Sequence, residues 1–295
     1  MSQTAYEFFT YDVFTDRPFG GNPLAIFPQA AGLDATMMQS IAGELNLSET
    51  VFITGSDERG IAHLRIFTPK VELPFAGHPT VGAAIHLAGQ RATPGTELEM
   101  RTVAGAVRAR ISAAGELVRA SILAPQAPTS GPAVDANAVA AAIGLDPLDL
   151  AHPPSAWSAG TPFTFAPVDS RETLSRASLV QTEWERSLRA RGTTSILLFT
   201  MTDWEKGREV HARMFGPGVG IAEDPATGSA AAALAGLLCE LQQPDDGAAR
   251  WVIHQGEDMG RPSVIELEAN IADGVAKEAW IGGTAVRRSE GKFYL

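Results

Sequence analysis

The apolar positions change period along the chain, and the changes mark out its elements. Over residues 6–15, Phe8, Val13 and Phe14 supply the apolar contacts of a first strand. A turn dense in Asp, Gly, Asn and Pro follows, and Leu24-Ala25-Ile26-Phe27-Pro28 predicts the second strand. Asp34 is placed to cap a helix over 35–45 whose stripe is Met37, Met38, Ile41 and Leu45. Strand patterns return at 50–53 and 63–68. The run 79–90 then carries almost no charge and predicts a helix buried on most sides. Short strands are expected at 97–103, 106–112 and 117–123, before a Pro-, Ser- and Gly-bearing linker at 125–132.

The second half repeats the scheme. A helix is expected at 136–143 and strands at 161–168 and 195–200, before an alanine-rich buried helix at 226–241. Strands resume at 251–254, 263–267 and 279–281, with the last near 284–288 and 292–295. The pattern is α+β, a mostly antiparallel sheet around a buried helix, and not the regular alternation of a parallel sheet. The expected division is an N-terminal lobe over 1–126 and a C-terminal lobe over 127–295, the strand near 284–295 being able to return to the first.

Each buried helix is introduced by a similar device. His78-Pro79-Thr80-Val81-Gly82 and Asp224-Pro225-Ala226-Thr227-Gly228 both set an ionisable residue before a proline, with a glycine three positions beyond it. Proline at a helix start has no N–H to leave unpaired, while the N–H groups after it are left to face a ligand. The two devices lie close to half the chain length apart, as a duplication would place them. They point to a two-lobed enzyme that takes a small carboxylate, with its active site in the cleft between the lobes.

Composition narrows the classes. The 295 residues suit two domains, and the net charge of −11, without a Lys/Arg cluster, argues against a nucleic-acid partner. No apolar run approaches the roughly 18 residues of a membrane span, and the first seven residues do not read as a leader, so a cytoplasmic protein is expected. With Cys239 the sole cysteine and no His spacing suited to a metal, no metal site is expected.

Several residues are candidates for chemistry. Gly228 and Ser229, at the start of the second buried helix, can cradle a carboxylate, while Asp224 is either a helix cap or a functional group. His78, after Gly77, is either a structural histidine or a proton-tuning partner, and a nearby carboxylate could keep it protonated at neutral pH. Glu49, beside Ser48, enters the rim of an apolar strand. Desolvation there would raise its pKa and suit it to acid/base work, against the alternative of a solvated turn residue. Ser229 lacks the surroundings of a hydrolase nucleophile, and Cys239 reads as a core thiol. Phe19, Phe75, Trp157, Phe163, Met214, Phe215 and Met259 are candidate pocket walls or core.

Taken in order, the segments resemble the phenazine-biosynthesis PhzF-like family, which has the diaminopimelate epimerase fold. They are Asp12-Val13-Phe14-Thr15, Phe19-Gly20-Gly21-Asn22-Pro23-Leu24-Ala25, Leu47-Ser48-Glu49-Thr50, Arg65-Ile66-Phe67-Thr68-Pro69 and Pro74-Phe75-Ala76-Gly77-His78-Pro79-Thr80. Gly160-Thr161-Pro162-Phe163, Glu223-Asp224-Pro225-Ala226-Thr227-Gly228-Ser229, Gln255-Gly256 and Met259-Gly260-Arg261-Pro262-Ser263 continue the series. The resemblance implies two similar lobes, each a curled sheet around a central helix, and commonly a homodimer. It implies a cofactor-free isomerase in which Glu49 moves a proton between carbons of a small unsaturated acid such as trans-2,3-dihydro-3-hydroxyanthranilate. His78 and Asp224 would assist, and Ser229 would stand beside the substrate. A two-thiol racemase is excluded, since neither helix start carries a cysteine. An epimerase or tautomerase on another small acid and a non-catalytic small-ligand-binding protein are the alternatives.

Overall fold

The computed structural model describes residues 4–89 and 95–295. The first three residues and Gln90, at the expected end of the helix over 79–90, lie outside them. The elements, in chain order, are β1 (Ala5–Val13), β2 (Asn22–Phe27), α1 (Ala35–Leu45), β3 (Glu49–Ser56), β4 (Ala62–Phe67), β5 (Glu72–Leu73), α2 (Gly77–Ala88), β6 (Thr96–Thr102), β7 (Gly105–Ala114) and β8 (Leu117–Leu123). There follow β9 (Thr129–Ala133), α3 (Ala136–Ala142), β10 (Ser155–Ser158), β11 (Pro162–Pro167), α4 (Arg171–Arg176), α5 (Gln181–Ser187) and β12 (Ile196–Thr200). The chain ends with β13 (Glu209–Gly216), β14 (Ile221–Asp224), α6 (Gly228–Gln242), β15 (Gly247–Gln255), β16 (Ser263–Ala272) and β17 (Val275–Tyr294).

The chain forms two units, one of residues up to Pro125 with Gly282–Leu295, the other Gln126–Ile281. In the first, β17, β1, β2, β3, β4, β6, β7 and β8 pair in that order, and β8 pairs back to β17, so the sheet closes on itself. The β2–β3 and β4–β6 steps are parallel. Helix α2 packs against β1, β2, β3, β7 and β8, and its residues from Gly77 to Ile85 are all buried. Its lack of charge is what permits this. Its approach to the sheet needs glycine: a Cβ on Gly82 would stand 2.3 Å from the Leu24 Cδ2.

The second unit runs β9–β10–β11–β12–β13–β15–β16, with β11–β12 and β13–β15 again the parallel steps. Helix α6 is buried from Ala230 to Cys239 and packs on β9, β10, β11 and β16. A Cβ on Gly236 would come within 2.3 Å of the Trp157 ring. The same order of strands, parallel steps and central helix in each unit gives the duplicated scheme a topological basis.

Three local expectations need correction. The stretch expected as a linker contains β9, held by its antiparallel pairing to β10. The last strands, expected as separate pieces, are one strand, β17, entered from β16 through Asp273-Gly274, both at positive φ. That dipeptide is the turn chemistry of a two-residue hairpin. Finally, β10, β13, α4 and α5 were not anticipated; α4 and α5 help bury a core of Leu174, Trp184, Leu188 and Phe215. Among the described residues no helix is long and apolar enough to cross a membrane.

Candidate active site

In the first unit the site begins where α1 ends. Asn46 adopts the left-handed conformation at the helix C-cap, and two residues later half-buried Ser48 leads into β3. Glu49 is the first residue of β3 and is 8% exposed. Parallel pairing sets it opposite Leu24, beside Pro23 at the start of β2.

Helix α2 brings His78 to Glu49. The helix starts at Gly77 with Ala76 as its cap residue and no side-chain cap bond. His78 is 4% exposed, and its Nε2 lies 3.2 Å from Glu49 Oε2. Burial pushes the His78 imidazole down to about 3, opposed by a hydrogen bond to the Pro23 backbone. The ring is therefore neutral at physiological pH, which corrects the expectation that a carboxylate would keep it charged.

This geometry sets where protons lie. The Pro23 carbonyl can only accept, so the ring N–H toward it is Nδ1–H, and the neutral Nε2 presents a lone pair to Glu49. A lone pair facing a carboxylate oxygen at this distance is repulsive. One proton between the two atoms would turn the contact into a hydrogen bond.

In the second unit, Asp224 ends β14 at 7% exposure. It does not cap α6, whose cap residue is Thr227, without a side-chain cap bond. Instead the Thr227 hydroxyl donates to Asp224 Oδ2. Gln255, at the end of β15 and 1% exposed, donates from Nε2 to the Asp224 carbonyl at 2.7 Å and to Thr227 Oγ1 at 3.1 Å. Its Oε1 accepts from Thr227 N at 3.2 Å. The Thr227 N–H is thus occupied, and the donors that α6 leaves unbonded within itself belong to Gly228, Ser229 and Ala230. Gly228 is buried and Ser229 half-buried, and both stand in that first turn, where unbonded N–H groups are able to receive an anion.

The structure brings Glu49 and His78 together, with Ser48 and Gly77 next to them in the chain, and gathers Asp224, Gly228 and Ser229 at the start of α6. Sequence reasoning missed three parts: the Pro23 carbonyl, the Thr227 hydroxyl and the Gln255 amide. The first is a backbone group and leaves no trace in residue type. Thr227 and Gln255 lay within quoted motifs, but only the register of β13, β14 and β15 shows that they meet. Of the expected wall residues, Phe215 belongs to the core, whereas Phe19 is 70% exposed at φ 68°, its N–H bonded to Asp12 Oδ2 at 2.9 Å. Cys239 is buried in α6, and burial raises its thiol to about 11, far from a reactive thiolate.

Comparison with known proteins places this arrangement. The family described as Phenazine biosynthesis-like protein (PhzC-PhzF) matches residues 11–291. A relative from Mesorhizobium japonicum, named an uncharacterized isomerase, is 39% identical over 97% of this chain and 97% of its own length. The trans-2,3-dihydro-3-hydroxyanthranilate isomerase of Pseudomonas chlororaphis is 33% identical, covering 96% of this chain and 98% of the relative. A solved phenazine biosynthesis protein of the PhzF family from Bacillus anthracis matches with a TM-score of 0.88 at 25% identity, over 99% of this chain and 100% of that one. A hydroxyproline epimerase from Agrobacterium vitis shares the fold, with a TM-score of 0.62 at 13% identity over 100% of this chain and 93% of its own. The expected α+β, epimerase-like fold is borne out.

Proposed function

The chain belongs to the phenazine biosynthesis-like protein family, whose matching relatives are named isomerases, and we propose that it moves a proton between carbons of a small unsaturated carboxylic acid without a cofactor. The observation that carries the proposal is the buried contact of Glu49 Oε2 with His78 Nε2. If the pair shares one proton, it becomes charged when Glu49 takes a second from an acidified C–H, the shared proton passing to His78, and it is neutral again once a proton is delivered to the other carbon. Either step is brief, which suits a group that takes a proton at one carbon and delivers it at another.

In this reading Glu49 is the general acid/base and His78 holds its carboxyl group through Nε2. The N–H groups of Gly77 and Gly228 and the Ser48 and Ser229 hydroxyls hold the substrate's carboxylate and polar groups. Asp224 fixes a donor on the substrate, such as an amine, by accepting from it. The relatives named for trans-2,3-dihydro-3-hydroxyanthranilate support that compound, an amino acid on a diene ring, as the first substrate to try. The family resemblance further supports a homodimer working in the cytoplasm, with one complete site per subunit; light scattering on the purified protein tests the dimer.

The test is turnover of trans-2,3-dihydro-3-hydroxyanthranilate in deuterated water, followed by NMR and mass spectrometry, for the native protein and Glu49→Gln. Conversion by the native protein and its loss in the variant supports the proposal. Equal conversion by both rejects Glu49 as the base. No conversion by folded native protein removes this substrate and sends the search to other unsaturated carboxylates.

A further inference from the structure

The start of α6 contains a relay of hydrogen bonds more directional than packing alone requires. The Thr227 hydroxyl has one proton, and it goes to Asp224 Oδ2. Thr227 Oγ1 accepts in turn from Gln255 Nε2 at 3.1 Å, while the other end of that amide accepts from Thr227 N at 3.2 Å. Gln255 cannot rotate its amide without setting an NH2 against the Thr227 N–H and a carbonyl against the Asp224 carbonyl. Its orientation is therefore fixed, and it fixes in turn the direction of the Thr227 hydroxyl. The donor aimed at Asp224 is aimed by Gln255.

The backbone is built to keep this relay close. Gly256, next to Gln255, sits at φ 75°, and a Cβ there would stand 2.4 Å from the Arg261 carbonyl oxygen and 2.7 Å from that of Pro225. Only glycine allows the end of β15 to approach the 224–227 turn so nearly. All three relay residues are buried, at 7% for Asp224, 8% for Thr227 and 1% for Gln255.

We propose that Gln255 is a positioning residue for Asp224, acting through the Thr227 hydroxyl to fix the direction of the carboxylate. The proposal rests on the reading of Asp224 as a group that contacts substrate. It differs from a brace role, in which Gln255 only satisfies the Asp224 carbonyl and the Thr227 N–H.

Thr227→Val separates the two roles, because it removes the hydroxyl and leaves both backbone bonds of Gln255 possible. With trans-2,3-dihydro-3-hydroxyanthranilate as probe, kcat should fall about 10- to 100-fold with KM changed less than about threefold, since a misaimed group costs rate at little cost in affinity. Thr227→Ser should restore kcat to within about threefold, and Gln255→Leu should match Thr227→Val with no further loss in the double variant. A Thr227→Val protein as fast as the native one overturns the proposal and leaves Gln255 as a brace, even if Gln255→Leu fails to fold. Proton NMR of the resting protein adds a readout independent of turnover. A slowly exchanging Thr227 hydroxyl resonance, absent in Thr227→Val and exchanging faster in Gln255→Leu, is expected; exchange unaffected by Gln255→Leu contradicts the relay. If native protein does not convert the compound, the substrate assignment fails alone, and the hydroxyl resonance still decides the relay.

Discussion

The two units carry the same strand order around the same kind of central helix, yet the helix starts have been put to different uses. At α2, two ionisable side chains face each other. At α6, a carboxylate accepts from a hydroxyl that is itself bonded by an amide, and neither of those partners changes charge. The first arrangement makes a proton easy to move; the second makes an acceptor hard to move. A duplicated scaffold thus supplies two similar helix ends, and in the proposed mechanism the residues at the strand ends decide which one exchanges protons. In the first unit the decisive position is the start of β3, where Glu49 stands. The corresponding strand of the second unit, β12, begins at Ile196 after buried Ser195, which offers no carboxylate.

The sharpest way to break this comparison is to exchange the demands on the two carboxylates. Glu49→Gln should lower kcat about a thousandfold, the usual scale for loss of an acid/base group, with the melting temperature little changed. Asp224→Asn should cost less, about 10- to 100-fold, and part of it should appear in KM. Steady-state kinetics on both variants checks this, and equal losses in kcat alone would erase the distinction.

Acid sensitivity separates the units next. Burial holds His78 at about 3, whereas an unfolded histidine titrates near 6.5. Between those values the unfolded chain binds a proton that the folded chain refuses, so stability contributed here is full above about pH 6.5 and is lost as pH falls toward 3. The slope is about 1.4 kcal/mol per pH unit. Urea unfolding at several pH values should show that slope reduced in His78→Gln.

The smallest expected difference is in packing. Gly82→Ala drives a methyl into Leu24 and Val13, both fully buried, whereas Gly236→Ala meets Trp157, which is half-buried and can swing outward. Overpacking should cost about 1–3 kcal/mol at Gly82 and less at Gly236, read from thermal or urea denaturation. The reverse order would mean that α6 is the more tightly enclosed helix.

Much of this was legible in the chain. The uncharged run after His78 announced a buried helix because burial forbids charge, and α1 matched its expected bounds because a capping Asp and an apolar stripe agree there. Glu49 stood out as a carboxylate at the head of the apolar Val51-Phe52-Ile53 stretch. What the sequence withheld depends on register. β13 was overlooked because Glu209, His211 and Arg213 interrupt its apolar positions, and Arg213 is satisfied only by folding, through Glu223 and the carbonyls of Leu174, Ser175 and Ala177. Gln255 reads as an ordinary polar strand end until β15 is aligned beside β13. The charge of His78 could not be inferred either, since only folding shows that its burial outweighs both the bond to Pro23 and the carboxylate beside it.

Strand β17 has a consequence for how the molecule is made. The ring of the first unit is closed by residues from Gly282 onward, pairing with β1 on one side and β8 on the other. A ribosome that has finished β8 must still synthesise more than half of the chain before that closing strand exists. At about 5–20 residues per second, the first unit waits on the order of ten seconds or more with two sheet edges unpaired. Such edges invite pairing with other chains, so the nascent protein is most vulnerable to aggregation while the unit that carries Glu49 and His78 still lacks its closing strand.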